Sequence, residues 1–258
     1  MITLDQILAA YPENLRVFKE SVLKEYLQYK ILNSIFNSEY ANKLAFLGGT
    51  SLRIVYGSTR FSEDLDFDNF SITEKEFTEL SKVIQKDLLL EGLEVEINIV
   101  TKNAYRIKIR IPKLLFDSGL SSMNEHKILI QVDTVPQNFK YTPDKPLLNK
   151  FDVFTQINAV PKDLLLAQKI FASVNRKRIM GRDFFDIVFL YGIGASPNFI
   201  YLKKNIGVKN EKELKKYLLK KIEKLDFEKL ACDVEPLLFD PRDNKKVLLF
   251  REFAEKKL

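Results

Sequence analysis

Hydrophobic positions change their period along the chain, and the change divides it. Over the first forty residues Leu15, Val17-Phe18, Val22-Leu23, Tyr26-Leu27, Ile31-Leu32 and Ile35-Phe36 recur at spacings of three and four, the period of an amphipathic helix. Pro12 separates a short first helix, with Asp5-Gln6-Ile7-Leu8, from this longer one. Lys43–Leu47, apolar after its first residue, reads as a first core strand. The helical period returns between Thr73 and Leu90, where Phe77, Leu80, Val83-Ile84 and Leu88 form a stripe, Thr73 and Glu76 form a capping box, and Gly92 stops the helix. The period then falls to two: Leu93, Val95, Ile97 and Ile99 alternate with polar residues, as do Tyr105, Ile107, Ile109 and Ile111, with Lys102-Asn103-Ala104 as the hairpin turn. After an irregular connection over 112–124, His126–Asp133 predicts another strand, ending in an acid.

Beyond a connector over 137–152 that holds Pro143 and Pro146, the pattern is helical, which predicts a domain boundary near residue 150. Pro161 opens a helix whose apolar face carries Leu164–Ala167, Ile170-Phe171 and Val174. A basic turn, Asn175–Arg182, leads into Asp183–Tyr191. Lysine-rich helical sequence over 210–229 and an amphipathic stretch over 247–258 follow. The chain therefore reads as α+β, a mixed domain over 1–150 and a helical one over 151–258.

Composition narrows the chemistry. With 258 residues, 46% hydrophobic and 29% charged, the chain has the make-up of ordinary globular domains. No apolar run approaches the length of a membrane span, and the acid-containing N-terminus lacks the design of a secretory signal, so a cytoplasmic protein is expected. Cys232 and His126 are each the sole residue of their type, which disfavours disulfides, zinc centres and Cys-His nucleophile pairs. A net charge of +6 permits attraction to polyphosphates or nucleic acid. Arg106, Lys108 and Arg110, alternating on one strand, read either as a solvated sheet face or as a polynucleotide-binding one, and the C-terminal lysines carry the same two readings.

The stretch Leu47–Asp68, LGGTSLRIVYGSTRFSEDLDFD, holds the most specific chemistry. Gly48 and Gly49 let the backbone turn tightly and approach a ligand, and Thr50 is placed to cap the helix that follows. Amides at such a helix start form a seat for phosphate. Asp64-Leu65-Asp66-Phe67-Asp68 alternates acid with apolar, which on a strand puts Asp64, Asp66 and Asp68 on one face and Leu65 and Phe67 in the core. Carboxylates sharing a face repel unless a cation lies between them, and hard oxygen ligands beside a phosphate seat suit Mg²⁺. Arg60, by charge, and Ser62, by hydrogen bonding, are candidates for contacting nucleotide phosphates. Arg53 is read as pairing structurally, with one of the acids as a possible partner.

G-G-T, thirteen residues, then D-x-D resembles the signature of the polymerase-beta-like nucleotidyltransferases, and GGTSLR…RFSEDLDF looks more narrowly like the AbiEii-type nucleotidyltransferases, toxin components of toxin–antitoxin and phage-defence systems. The run LLLAQKIFASVNRKRIMGRDFFDIVFL is similar to the second block of that family, in which a helix lysine precedes a basic turn and an R-D-x-x-D helix. The resemblance implies a nucleotidyltransferase-fold mixed sheet flanked by helices, followed by a helical domain over the active-site cleft. It implies Asp64 and Asp66 as Mg²⁺ ligands and Gly48, Gly49 and Thr50 at the phosphates. It also implies Asp133 as a third carboxylate that takes the acceptor's proton or helps hold a second metal, against the plainer reading of an Asp capping a turn over 133–136. Lys169 would bind the triphosphate and Asp186 would position it, with Arg182 and Asp183 in support; without the resemblance, Lys169 reads as a snorkelling lysine and the two acids as salt-bridge partners.

The implied activity is transfer of a nucleotidyl group from a nucleoside triphosphate to an acceptor hydroxyl, with RNA, and tRNA foremost, as acceptor. A cognate antitoxin is the implied partner. The rivals are transfer to a small molecule such as an aminoglycoside, transfer to a protein, and a nucleotide-binding module without catalysis.

Overall fold

The computed structural model describes residues 2–101, 104–136 and 138–258. Two residues of the expected hairpin turn, Lys102 and Asn103, lie outside them. The chain sorts into two compact units, one made of the chain up to Tyr56 with Phe61–Ala159, the other of Gly57–Arg60 with Val160–Leu258.

In the first unit the N-terminal helices are α1 (Leu4–Ala9) and α2 (Lys19–Phe36), with Pro12 between them. Next come β1 (Leu44–Leu47), α3 (Gly48–Tyr56), β2 (Leu65–Asn69) and α4 (Glu74–Leu90), which starts on the Thr73–Glu76 capping box. They are followed by β3 (Glu96–Val100), β4 (Tyr105–Ile111), a short α5 (Leu114–Asp117), β5 (Ile128–Pro136), β6 (Leu147–Lys150) and β7 (Val153–Gln156). Among the described residues the main sheet has five strands in the order β1-β2-β5-β4-β3, mixed because β2 and β5 run parallel and the other neighbours antiparallel. This is the mixed sheet flanked by helices that the sequence resemblance implies. The boundary expected near residue 150 falls within the β6–β7 hairpin, whose ladder keeps both sides of that position in the first unit.

One face of the sheet makes the core. Ile107, Ile109, Ile111, Ile130 and Val132 are buried there, beneath α2, which packs on β5, and α4, which packs on β3 and β4. Burying each such side chain contributes roughly 1.5–3 kcal/mol. Alternation then sends Arg106, Lys108 and Arg110 on β4, and Gln131 and Asp133 on β5, to the opposite face, where they are exposed or half-buried.

The second unit is helical: α6 (Lys162–Asn175), α7 (Gly181–Gly192), α8 (Phe199–Ile206), α9 (Glu211–Ile222), α10 (Phe227–Val234), α11 (Lys245–Leu248) and α12 (Phe250–Lys257). Helix α7 packs against α6, α10 and α11. Phe184 on α7 meets Phe250 and Phe227 edge-on, with ring centroids 4.7 and 5.3 Å away. Gly181 opens α7 where a Cβ would collide with the Leu230 carbonyl oxygen of α10, and its amide donates to Asp233 Oδ2 at 3.0 Å. That contact fixes the end of the basic turn. The short segment Gly57–Arg60 joins this unit, with Phe239 N donating to Thr59 O and Thr59 Oγ1 donating to Asp243 Oδ2 at 2.8 Å.

Candidate active site

In the first unit, Gly48 begins α3 directly after β1, at φ +82°, and Leu47 just before it faces Asp66 across the β1–β2 ladder. A Cβ on Gly48 would sit against the Asp66 carboxylate. Glycine is thus required here twice, by the left-handed backbone and by the room that Asp66 occupies. Thr50 lies inside the helix rather than capping it: its hydroxyl donates to the carbonyl oxygen of Asp64, which ties the helix start to the segment entering β2. Gly49 and Thr50 are both buried.

The D-x-D acids do not share one fate. Asp66 lies in β2 and is half-buried, while Asp64 lies just before the strand and accepts from Gln131 Nε2 at 3.2 Å. Asp68 is buried and accepts from the Tyr141 hydroxyl at 2.7 Å; burial and the carboxylate beside it push that phenol's pKa up. Asp133 stands opposite Asp66 across the parallel β2–β5 ladder. Strand β5 runs on to Pro136, so Asp133 is interior to a strand and caps no turn. Its two oxygens accept from Arg106 Nε at 2.5 Å and Nη2 at 2.8 Å, a bidentate pair between facing residues of β4 and β5. Ser62 is half-buried, and its carbonyl accepts from Gln28 Nε2 at 2.9 Å.

Arg53 points from α3 to α2, where Glu25 takes its Nε at 2.8 Å. Glu25 is 3% exposed and also accepts from Lys150 Nζ at 2.9 Å and from the Tyr11 hydroxyl at 2.8 Å. Burial alone would raise the pKa of Glu25, but the Arg53 and Lys150 cations hold its carboxyl below the usual range.

In the second unit, Lys169, Asp183 and Asp186 come together. Lys169 Nζ lies 3.0 Å from Asp183 Oδ1 and 2.7 Å from Asp186 Oδ2, and both acids are fully buried. Arg60 is buried with them and donates from Nε and Nη2 to the two oxygens of Asp186, each at 2.7 Å. Burial opposes ionisation of Asp186, yet Arg60 first and Lys169 second keep its pKa low. Lys169 therefore does not snorkel. Arg182 is half-buried on the first turn of α7, and Arg176 Nη1 stands 3.4 Å from Asp183 Oδ2.

Arg106, Gln131, Glu25 and Tyr141 were not singled out as site partners by sequence. Alternation placed Arg106 on a sheet face, but only the strand order sets it beside Asp133.

The profile of the nucleotidyl transferase AbiEii toxin family of type IV toxin–antitoxin systems matches residues 30–247. Among solved structures, JHP933 from Helicobacter pylori aligns with a TM-score of 0.55 at 18% identity over 93% of each chain. The nucleotidyltransferase toxin MenT4 from Mycobacterium tuberculosis aligns with a TM-score of 0.56 at 15% identity, over 99% of this chain and 90% of the other. These distant structures share the fold. No curated protein matches. With both motif blocks inside the matched span, the chain belongs to the AbiEii family of nucleotidyltransferase toxins.

Proposed function

We propose that this nucleotidyltransferase transfers a nucleoside monophosphate from a nucleoside triphosphate to a hydroxyl of RNA, with tRNA the leading acceptor. The observation that carries the reading is the pairing of Asp66 with Asp133 across β2–β5, with Gly48 left bare beside the Asp66 carboxylate. Asp64 and Asp66 would hold Mg²⁺. The donor set fits that ion: Asp64 and Asp66 offer hard carboxylate oxygens at the entry to β2, Asp66 beside the bare Gly48, and Mg²⁺ characteristically takes one or two carboxylates and completes its shell with phosphate oxygens and water. When bound, it would supply charge neutralisation at the phosphates and a more acidic acceptor hydroxyl.

The amides at the start of α3, with Gly48, Gly49 and Thr50, would seat phosphate oxygens. The acceptor oxygen forms a bond to the α-phosphorus, the bond from that phosphorus to the bridging oxygen breaks, and pyrophosphate leaves with the electron pair. The hydroxyl proton passes to Asp133, which Arg106 orients, and Asp133 is also the candidate third carboxylate for a second metal. Ser62 and Arg182 would hydrogen-bond the nucleotide. Lys169 would bind phosphate oxygens, its ammonium aligned by Asp183 and Asp186. Arg60, offered on sequence as a phosphate ligand, is assigned instead to holding Asp186. Such an enzyme would work in the cytoplasm, where its substrates are, under the restraint of an antitoxin.

The test is incubation with Mg²⁺, each labelled nucleoside triphosphate and total tRNA. Label on RNA that disappears in Asp64→Ala and Asp66→Ala supports the reading. Label on protein or on an aminoglycoside, with RNA unlabelled, would overturn the RNA assignment.

A further inference from the structure

The open face of the five-stranded sheet carries more than the acids. Cross-strand register puts Asp66, Asp133, Arg106 and Val100 in one row, Gln131, Lys108 and Asn98 in the next, and Leu129, Arg110 and Glu96 in the third. All residues of these rows are half-buried or exposed, whereas Ile107, Ile109 and Ile130 between them are buried on the other face. Arg106 is committed to Asp133, and Glu96, the only acid in the third row, pairs with Lys127 at 2.6 Å. Lys108 and Arg110 have no ion pair among the described residues. Two cations thus stand uncompensated on a strand that begins beside the acid row.

Spacing decides what they fit. At about 3.4 Å per strand residue, Lys108 lies about 7 Å and Arg110 about 14 Å along the strand from the acid row. Asp64 accepts from Gln131 in the Lys108 row, so a triphosphate seated at Asp64 and Asp66 spans the first two rows, whereas Arg110 lies a row further out, where a polynucleotide continues. With one phosphate per about 3.4 Å of rise in a helical strand, and fewer in an extended one, two to four nucleotides span the ladder.

We propose that this face, from the Asp66–Asp133 row through Lys108 to Arg110, is the track on which the last few nucleotides of the acceptor strand lie. The terminal hydroxyl reaches the acids, and the preceding phosphates rest on Lys108 and Arg110. The exposed Leu129 side chain supplies an apolar floor for a ribose or base. The inference rests on RNA being the acceptor. The net charge of +6 favours encounter with such a partner, and the ladder gives it direction.

The test uses the full chain with Lys108→Met/Arg110→Met, which keeps the aliphatic stems, and Lys108→Glu/Arg110→Glu. Acceptor KM, kcat and the salt dependence of acceptor binding are measured alongside nucleotide affinity. The Met pair is expected to raise acceptor KM about tenfold with kcat within about twofold. It should lower the slope of log K against log salt by about 1.4, at about 0.7 per lost single-strand phosphate contact. The Glu pair should go further, and nucleotide affinity and melting temperature should match the unmodified protein in both. Wild-type acceptor KM and salt slope in both variants would overturn the track while leaving RNA transfer intact. Failure of the unmodified protein to label any RNA would remove the RNA reading, and the track with it. Equal loss of nucleotide affinity would assign Lys108 and Arg110 to the triphosphate instead.

Discussion

At the scale of single residues, Gly48 has the least freedom. Its φ of +82° disfavours any side chain, and a Cβ would press on the Asp66 carboxylate. Gly48→Ala should therefore combine a backbone penalty of about 1–2 kcal/mol with displacement of Asp66. Nucleotidyl transfer is expected to fall at least about 100-fold, because an ångström-scale shift of a reacting group costs that much. Label transfer at saturating nucleotide, read beside a melting curve, checks it: a variant that loses stability but retains activity would show that the position of Asp66 does not matter. The glycine was legible in the sequence as a turn, but its second function was not, since the collision depends on how β1 and β2 pair. Thr50 taught the same lesson. A threonine after two glycines reads as a cap, and folding instead spends its hydroxyl on the Asp64 carbonyl.

At the scale of elements, the second-unit charge cluster ties α6 and α7 to the segment Gly57–Arg60. Asp186 on α7 receives Arg60 and Lys169, and both of these partners are buried with it. Removing one member of such a pair strands a charge, which costs about 3–5 kcal/mol, whereas replacing both by apolar groups of similar volume is often close to neutral. Arg60→Met and Asp186→Leu alone should each lower the denaturation midpoint strongly, and the double variant should recover most of the loss. Both partners should matter for activity if Asp186 aligns Lys169, so the double variant is expected to be stable and inactive. Full activity in it would make the cluster purely structural. The pH dependence has a definite sign: the folded-state pKa of Asp186 is below its ordinary 3.8, so its contribution is complete above that value and is lost as the pH falls further through the folded value.

Helix and strand identities were largely legible, because periods of 3.6 and 2 are local properties of sequence. Partners such as Arg60 and Asp186, separated by 126 positions, were not. The insertion of β5 between β2 and β4 was equally hidden, and it is what gives Asp66 its neighbour Asp133 and Asp133 its neighbour Arg106. The β6–β7 hairpin escaped because Pro143 and Pro146 make its approach read as a linker.

For the whole molecule, the acids proposed to hold the metal set stability against function. No described helix is long and apolar enough to cross a membrane, and both units carry their own buried cores. Asp64 lies just before β2 and Asp66 within it, two residues apart, and like charges brought close together destabilise each other in the absence of a cation. Asp66→Asn should then raise the melting temperature of the chelated protein by a few degrees, about 2–4 °C for each kcal/mol of repulsion relieved in a chain of this size. Unmodified protein should gain stability as Mg²⁺ and a non-hydrolysable nucleotide are added, following RT ln(1 + [L]/Kd), and Asp66→Asn should gain little. Transfer should vanish in the variant. The two melting series discriminate sharply, because an acid that merely decorates a solvated strand edge would leave the Mg²⁺-dependent gain intact, whereas a metal ligand takes that gain away with it.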